Sequence, residues 1–414
     1  MADENNSALP LGRNFWRLWS SASLSNLADG VFGIALPLIA IQYTQSPTLI
    51  AGLALAGNLP WLVFALQAGA ISDRKDRRRV MFSANIFRGA LLLVLATMVA
   101  LDVATIWSLY VVVFLAGIGE TLYDTSAQSI LPQVVDRTQL PRANSRLFAA
   151  ELTANEFIGP PLGGFLVALG AGLVLLGSGS VWVLAALLLL LLRGTFHTDH
   201  DGSTTMRADV AEGLRFLRHH RVLRNMALLT GVGNFAATAV WAVFVLFAVG
   251  SASTLGLTEV QYGVLMTATA IGAFVGTLIA EGIQRRLGRS KTLIVMIVAI
   301  SASLAVPAVT TNVWVIGFFL VLSGLTVVMG NIVMVSLRQR VTPDRLLGRV
   351  NSAYRMLAWG LMPFGALFGG FMADWFGFET LFVAAGLISL STLGCMVALS
   401  DRAIGEAERD ADES

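Results

Sequence analysis

Seven ionisable side chains fall inside stretches otherwise apolar enough for lipid: Asp29, Arg88, Glu120, Asp124, Glu151, Glu156 and Arg355. One charge at the centre of a membrane helix costs about 2.5–3.5 kcal/mol on insertion scales, so such residues face a cavity and act there. A carboxyl removed from water can exchange its proton near neutral pH. That is the chemistry a carrier needs when a proton and a solute compete through one site or one conformational equilibrium. Asp29, in Asn26-Leu27-Ala28-Asp29-Gly30, and Glu156 are the deepest acids and the expected proton carriers. Glu120 and Asp124 stand one turn apart on one face of a helix. Arg88 and Arg355 are the cations expected at a proton or substrate site. Arg88 and Asp124 lie nearer the inner ends, where a structural ion pair is an equal alternative. A proton gradient would be the energy source, and no cofactor is expected.

The elements that must hold these residues are membrane helices. Of the 414 residues, 56% are hydrophobic and only 13% charged, about half the charge of a soluble chain; the mean hydropathy is +0.73. Segments of roughly 20 apolar residues span a bilayer. Twelve are expected, at about 15–43, 48–72, 79–101, 104–130, 145–168, 171–193, 224–250, 259–283, 291–310, 312–337, 350–373 and 377–400. With both termini inside, the external loops hold no Lys or Arg, and of 28 basic residues only Arg88 and Arg355 lie clearly within spans. Positive charge marks the cytoplasmic side. The polar start has no cleavable signal peptide behind it, and the acidic stretch from Glu406 to Glu413 reads as a disordered, solvated end.

The expected organisation is a cytoplasmic N-terminal segment 1–14, a six-helix bundle 15–193, a loop 194–223, a second six-helix bundle 224–400 and a tail 401–414. The loop carries Val210, Leu214, Leu217 and Leu223 at helical spacing beside Arg215, Arg218 and Arg221, which predicts a basic amphipathic helix on the cytoplasmic leaflet. All four histidines (His197, His200, His219, His220) lie there as solvated residues, so no metal site is expected. The single Cys395 excludes a disulfide framework. No His-Glu-x-x-His cluster or paired thiol supports an intramembrane enzyme. The two bundles repeat each other: Arg142-Ala143-Asn144-Ser145 matches Arg349-Val350-Asn351-Ser352, and Gly163-Gly164-Phe165 matches Gly369-Gly370-Phe371. Parallel repeats of this kind build transporters.

Two motifs carry a family resemblance. Gly69-Ala70-Ile71-Ser72-Asp73-Arg74-Lys75-Asp76-Arg77-Arg78 resembles motif A of the major facilitator superfamily, with Asp76 where the family has Gly. Gly159-Pro160-Pro161-Leu162-Gly163-Gly164 resembles the core of motif C, a feature of proton-coupled exporters. Gly276…Glu281…Arg285-Arg286-Leu287-Gly288-Arg289 is a degraded second copy of motif A. The resemblance implies an all-α major facilitator fold of twelve transmembrane helices in two pseudo-symmetric bundles, both termini cytoplasmic. It also implies a gating role for Gly69, Asp73, Arg74, Arg77 and Arg78. Asp73 would cap the helix beginning near Arg349 to Ser352, and Arg77 would pair with Asp124.

Asn26…Asp29-Gly30, the Arg-x-Asn-Ser repeats and Glu212-Gly213-Leu214-Arg215-Phe216-Leu217 resemble the drug:proton antiporter branch, which includes macrolide efflux proteins and the enterobactin exporter. What this implies is a multi-pass protein of a bacterial plasma membrane. It would be a monomer exporting small, moderately hydrophobic molecules such as drugs or a siderophore in exchange for protons, with lipid around it and no nucleic-acid partner. An uptake symporter for an organic acid is the alternative, since Arg88 and Arg355 could hold a carboxylate.

Overall fold

The computed structural model describes residues 10–196, 206–250 and 253–412. Among them the chain is helical, and nine helices are long and apolar enough to cross a membrane. The first are α1 (Gly12–Ala40), α2 (Pro47–Arg74), α3 (Arg77–Ala100) and α4 (Ile106–Val134). They are followed by α5 (Leu140–Leu152), a π-helical turn (Thr153–Ile158), α6 (Gly159–Leu169) and α7 (Ala171–Leu189). After α8 (Met206–His219) come α9 (Arg221–Trp241) and the short α10 (Phe244–Ala248). Then follow α11 (Glu259–Leu287), α12 (Arg289–Ala305) and α13 (Val313–Val341). The last are α14 (Asp344–Gly360), α15 (Met362–Ser391) and α16 (Asp401–Asp412).

Where nine differs from the expected segments, backbone chemistry explains it. One apolar stretch runs 52 residues, Leu346–Val397; as helix that would be ~78 Å, more than twice a hydrocarbon core. It is broken inside α15 at Gly377, whose φ of 83° turns the chain in a conformation glycine adopts at no steric cost. The expected segment 145–168 is interrupted by the π turn. Pro160 and Pro161 supply no amide hydrogen to the carbonyls of Glu156 and Phe157 one turn earlier, and the ladder there widens. The expected segment 224–250 is interrupted between α9 and α10.

Two compact units are formed. The first takes the described residues of 1–44, 56–201 and 257–267; the second takes those of 45–55, 202–256 and 268–414. In the first, Phe15, Leu18, Met81, Ile130 and Leu189 form a fully covered apolar core. In the second, Leu223, Met226, Leu293, Val350 and Leu399 do the same. Small residues bring helices together: a side chain at Gly89 would meet the Gly179 carbonyl at 2.9 Å, and one at Gly179 the Gly89 carbonyl at 3.2 Å. In lipid, such close approach replaces hydrophobic burial as the source of attraction between helices.

Three expectations for the cytoplasmic segments are corrected. The amphipathic helix exists as α8, but Gly213 and Leu217 are buried, with the Arg349 carbonyl against Gly213 and Glu212 paired to Arg349. This face is spent on α14, and Leu214 remains exposed. The four histidines also divide: His220 caps α9 by accepting from Leu223 N at 3.3 Å, while His197 and His200 lie outside the described residues. The acidic end is a helix as far as Asp412 because Ile404 gives it an anchor, 2% exposed in the core of the second unit.

That last helix also completes a damaged repeat. In the motif A loop, Asp76 is the N-cap of α3 and accepts from Arg79 N at 3.3 Å. At the matching start of α12 stands Gly288, with φ 79° and no side chain to cap with. Asp401 supplies the missing carboxylate, accepting from Ser290 N at 3.1 Å, and Glu408 bonds Arg289 at 2.6 Å. Asp401→Ala should therefore cost about 1 kcal/mol, the usual worth of an N-cap. Faster amide exchange confined to residues 289–292 would register it.

Candidate functional site

The intramembrane charges of the first unit converge. Arg88 Nη2 binds Asp29 Oδ1 and lies 3.7 Å from Glu120 Oε2. The Arg88 side chain is 2% exposed, Asp29 19% and Glu120 42%. Two carboxyls thus share one cation, and Asp124, whose electrostatic neighbours are Glu120, Asp29, Arg88 and Glu151, stands beside them. Arg88, expected nearer the inner end with a structural ion pair as the alternative, is ion-paired to Asp29 from near the middle of α3.

Glycines make room for this cluster, and each sits next to a charged member. A Cβ at Gly119, beside Glu120, would lie 2.7 Å from Arg88 Cγ. Gly89 lets α3 approach α7, where Trp182, fully buried, offers its ring face to Arg88 Cζ at 3.9 Å. A cation over an indole face is held without spending a carboxylate. Gly30, beside Asp29, touches the π turn: a Cβ there would meet Asn155 Cα at 2.7 Å, and one at Gly159 would meet Gly30 Cα at 2.7 Å. Asn155 Nδ2 donates to Asn26 Oδ1 at 3.3 Å, tying the same two segments.

The motif C residues therefore pack directly on the segment that carries Asp29. Gly159 and Gly163 face α1, with a Cβ at Gly163 only 2.8 Å from the Val31 carbonyl. Gly164 faces the start of α11, where a Cβ would be 3.0 Å from the Glu259 carbonyl carbon. Pro160 is buried. Gly30→Ala should cost about 1–3 kcal/mol by overpacking against backbone that cannot yield. Gly33→Ala, with open space around the new methyl, should leave the thermal midpoint in place or raise it slightly.

Other expected residues are placed apart. Glu156 lies in the π turn and is exposed, as is Glu151. Arg355 is exposed in the second unit, stacked on Trp359 at 4.4 Å; nearby Arg338 lies 4.2 Å over Tyr354, whose hydroxyl is 2.5 Å from Thr230 Oγ1. In motif A, Gly69 is half-buried within α2, Arg74 is exposed, and Arg78 Nη1 donates to the Leu192 carbonyl at 2.7 Å. Arg77 Nη1 donates to the Ser129 carbonyl at 3.1 Å; Asp124, its expected partner, sits instead with the central acids. The Asp73 side chain lies outside the described residues. Among those described, no group of His, Cys, Asp and Glu could hold a metal.

Several polar residues at the cluster carry no motif. Ser25 and Asn85 are fully buried and bonded to each other, Asn85 Nδ2 to Ser25 Oγ at 3.3 Å. A signal for Ser25 was present: Ser21, Ser25 and Asp29 recur every four residues on α1, one stripe of a helix.

Comparison with known proteins covers almost the whole chain. A family model described as transmembrane secretion effector, MFS_3, matches residues 7–412. Multidrug efflux pump Tap of Mycolicibacterium fortuitum is 27% identical over 388 residues, 89% of this chain and 91% of Tap. Macrolide efflux protein A of Streptococcus pyogenes is 22% identical over 401 residues, 90% of this chain and 93% of that protein. Among solved structures, a mutant of the nucleoside transporter NupG superposes with TM-score 0.76 at 12% identity, covering 94% of this chain and 100% of NupG. A bacterial homologue of the iron transporter ferroportin, in an inward-facing state, gives 0.75 at 16% identity, with 94% and 99% coverage. At these identities the two structures are alike in fold alone.

Proposed function

We propose that this chain, which belongs to the transmembrane secretion effector family of the major facilitator superfamily and is a multi-pass secondary transporter of small molecules, is a proton-driven exporter. Its substrates are small, moderately hydrophobic compounds of the kind named in its efflux relatives, expelled across a bacterial plasma membrane by a monomer working through alternating access. Taking Leu346–Val397 as two passes, and α5–α6 and α9–α10 as one interrupted pass each, turns nine candidate spans into twelve. Twelve crossings would return the chain to the side it started from, and the basic loops support the cytoplasm as that side.

The observation that carries the reading is the Asp29–Arg88–Glu120 cluster in the first unit. Two carboxyls and one guanidinium leave a place for one proton. When Asp29 holds it, Arg88 is shared with Glu120 alone; when Asp29 gives it up, Arg88 is drawn back. Motif C lies against Gly30, so the position of Asp29 is linked to the π turn and to α6. Arg74, Arg77 and Arg78 would act with Asp73 as the cytoplasmic latch that the motif A resemblance implies. Glu156 is a second carrier candidate, placed where the helix ladder is already open.

Inverted vesicles with an acidified lumen test this reading. Ethidium or a macrolide should release protons from the lumen in proportion to the amount of transporter. Absence of release, with acid-stimulated uptake in whole cells, would instead assign symport.

A further inference from the structure

At one end of the first unit, three arginines gather around a cavity that no carboxylate lines. The cavity, about 360 Å³, is bounded by Gly12, Arg13, Asn14 and Arg17 of α1, by Val134 at the end of α4, and by Arg193 beyond α7. Arg13 and Arg17 are one turn apart and share a face of α1. Asn14 brings Arg193 to them. Its Nδ2 donates to the Arg193 carbonyl at 2.8 Å, and its Oδ1 accepts from Arg193 N at 3.2 Å. The same Oδ1 accepts from Arg17 Nη1 at 3.4 Å. One side chain therefore sets the spacing between two segments 179 residues apart. Gly12, at φ 79°, adds no side chain to the space.

Among the described residues, none of these three guanidiniums has a carboxylate partner. Gathering like charges is unfavourable unless something answers them. Membrane topology asks for positive charge on one side, but charge spread along the segments would meet that need. Tying a third guanidinium beside two others serves an anion instead. Guanidinium forks match phosphate oxygens and bind them in pairs.

The surroundings indicate which phosphate. Trp16, 45% exposed, precedes Arg17 and carries Arg146 Cζ 5.0 Å from its ring. Trp19 donates its Nε1 to the Arg146 carbonyl at 3.1 Å. Tryptophans in the first turns of a membrane helix mark the level of the lipid headgroups.

We propose that this cavity binds the headgroup of an anionic phospholipid, its phosphodiester held by Arg13, Arg17 and Arg193, with Asn14 as the positioning residue. Basic pockets between membrane helices are suited to such headgroups. The assignment is independent of the direction of transport and of the coupling ion. It also touches the motif A turn. Arg78 Nη1 donates to the Leu192 carbonyl at 2.7 Å, and the Arg77 amide donates to the Phe196 carbonyl at 3.2 Å. A lipid seated on Arg193 thus bears on the segment that this turn grips.

Native mass spectrometry of the full-length protein, in detergent doped equally with phosphatidylglycerol and phosphatidylcholine, tests the site. One phosphatidylglycerol should be retained in preference to phosphatidylcholine. A guanidinium facing an anionic headgroup contributes about fivefold in affinity. Arg13→Gln/Arg17→Gln/Arg193→Gln should therefore weaken retention about a hundredfold. Arg215→Gln/Arg218→Gln/Arg221→Gln removes the same charge from α8 and α9 and should keep the lipid. Val134→Trp fills the cavity with every charge in place and should lose it, which decides the matter if the triple variant fails to insert. No lipid preference in the wild type, or undiminished retention in Val134→Trp, would overturn the proposal. Equal loss in the α8–α9 variant would do so too, by marking a diffuse attraction of charge. Displacement of the lipid by glycerol 3-phosphate at matched concentration would overturn the lipid assignment in favour of a soluble phosphate compound.

Discussion

Replacement of Arg88 by Met is expected to lower the unfolding free energy by about 1–3 kcal/mol, because it leaves the mostly buried Asp29 carboxyl, and the half-exposed Glu120 beside it, without their cation. Met matches the length of the arginine stem, so the slot between Gly119 and Trp182 stays filled. What is lost is the charge that Asp29 and Glu120 share. Thermal unfolding in detergent would measure the effect, with the double variant Arg88→Met/Asp29→Asn recovering much of it. If Arg88→Met alone left the midpoint in place, the cluster would be solvated enough to need no cation, and the electrostatic account of the site would fail.

Asp29→Asn is expected to separate transport from the proton gradient. In inverted vesicles, stimulation of ethidium movement by an imposed pH gradient should fall at least about tenfold, equivalent to 1.4 kcal/mol or more of lost coupling. Movement of ethidium down its own gradient should persist, since the amide is isosteric and Gly30 still seats α1 against the π turn. An unchanged response to the gradient would pass the carrier role to Glu156 or Glu120. Glu156→Gln, in the same assay, then distinguishes those two.

Much of this site was legible in the sequence, and the reasons differ by residue. A lone charge in an apolar run stands out, so Asp29, Arg88 and Glu120 were identifiable from their positions in the sequence. Partnership was not. Counting residues from the start of its segment put Arg88 near the inner end, but the long side chain and the true start of α3 at Arg77 bring its guanidinium to Asp29. Trp182 was invisible for a different reason. It sits in a segment that is apolar on every side, where periodicity gives no facing. The pairing of each charged residue with a glycine (Asp29-Gly30, Arg88-Gly89, Gly119-Glu120) can be read in the sequence once the packing reason is known. The interrupted helices follow the same pattern: Pro160-Pro161 announces a break, but only the fold makes it a π turn. Resemblance to motif A located the loop correctly as the α2–α3 turn, and Asp76, its one departure from the family pattern, turned out to cap α3.

The two ways of starting a helix after a motif A loop bear on how such chains can recombine. The first half carries its own capping carboxylate at Asp76, within the loop itself. The second half cannot be cut at Ser400 on the same terms. Its α12 begins at a glycine with φ 79°, where an aspartate placed directly would be strained. Its carboxylate arrives from Asp401, at the far end of the chain. A hybrid that trades second halves between related transporters must therefore import the twelve-residue helix Asp401–Asp412 along with the bundle. A tail that looks like expendable acidic sequence is in this sense inherited together with a loop more than a hundred residues before it.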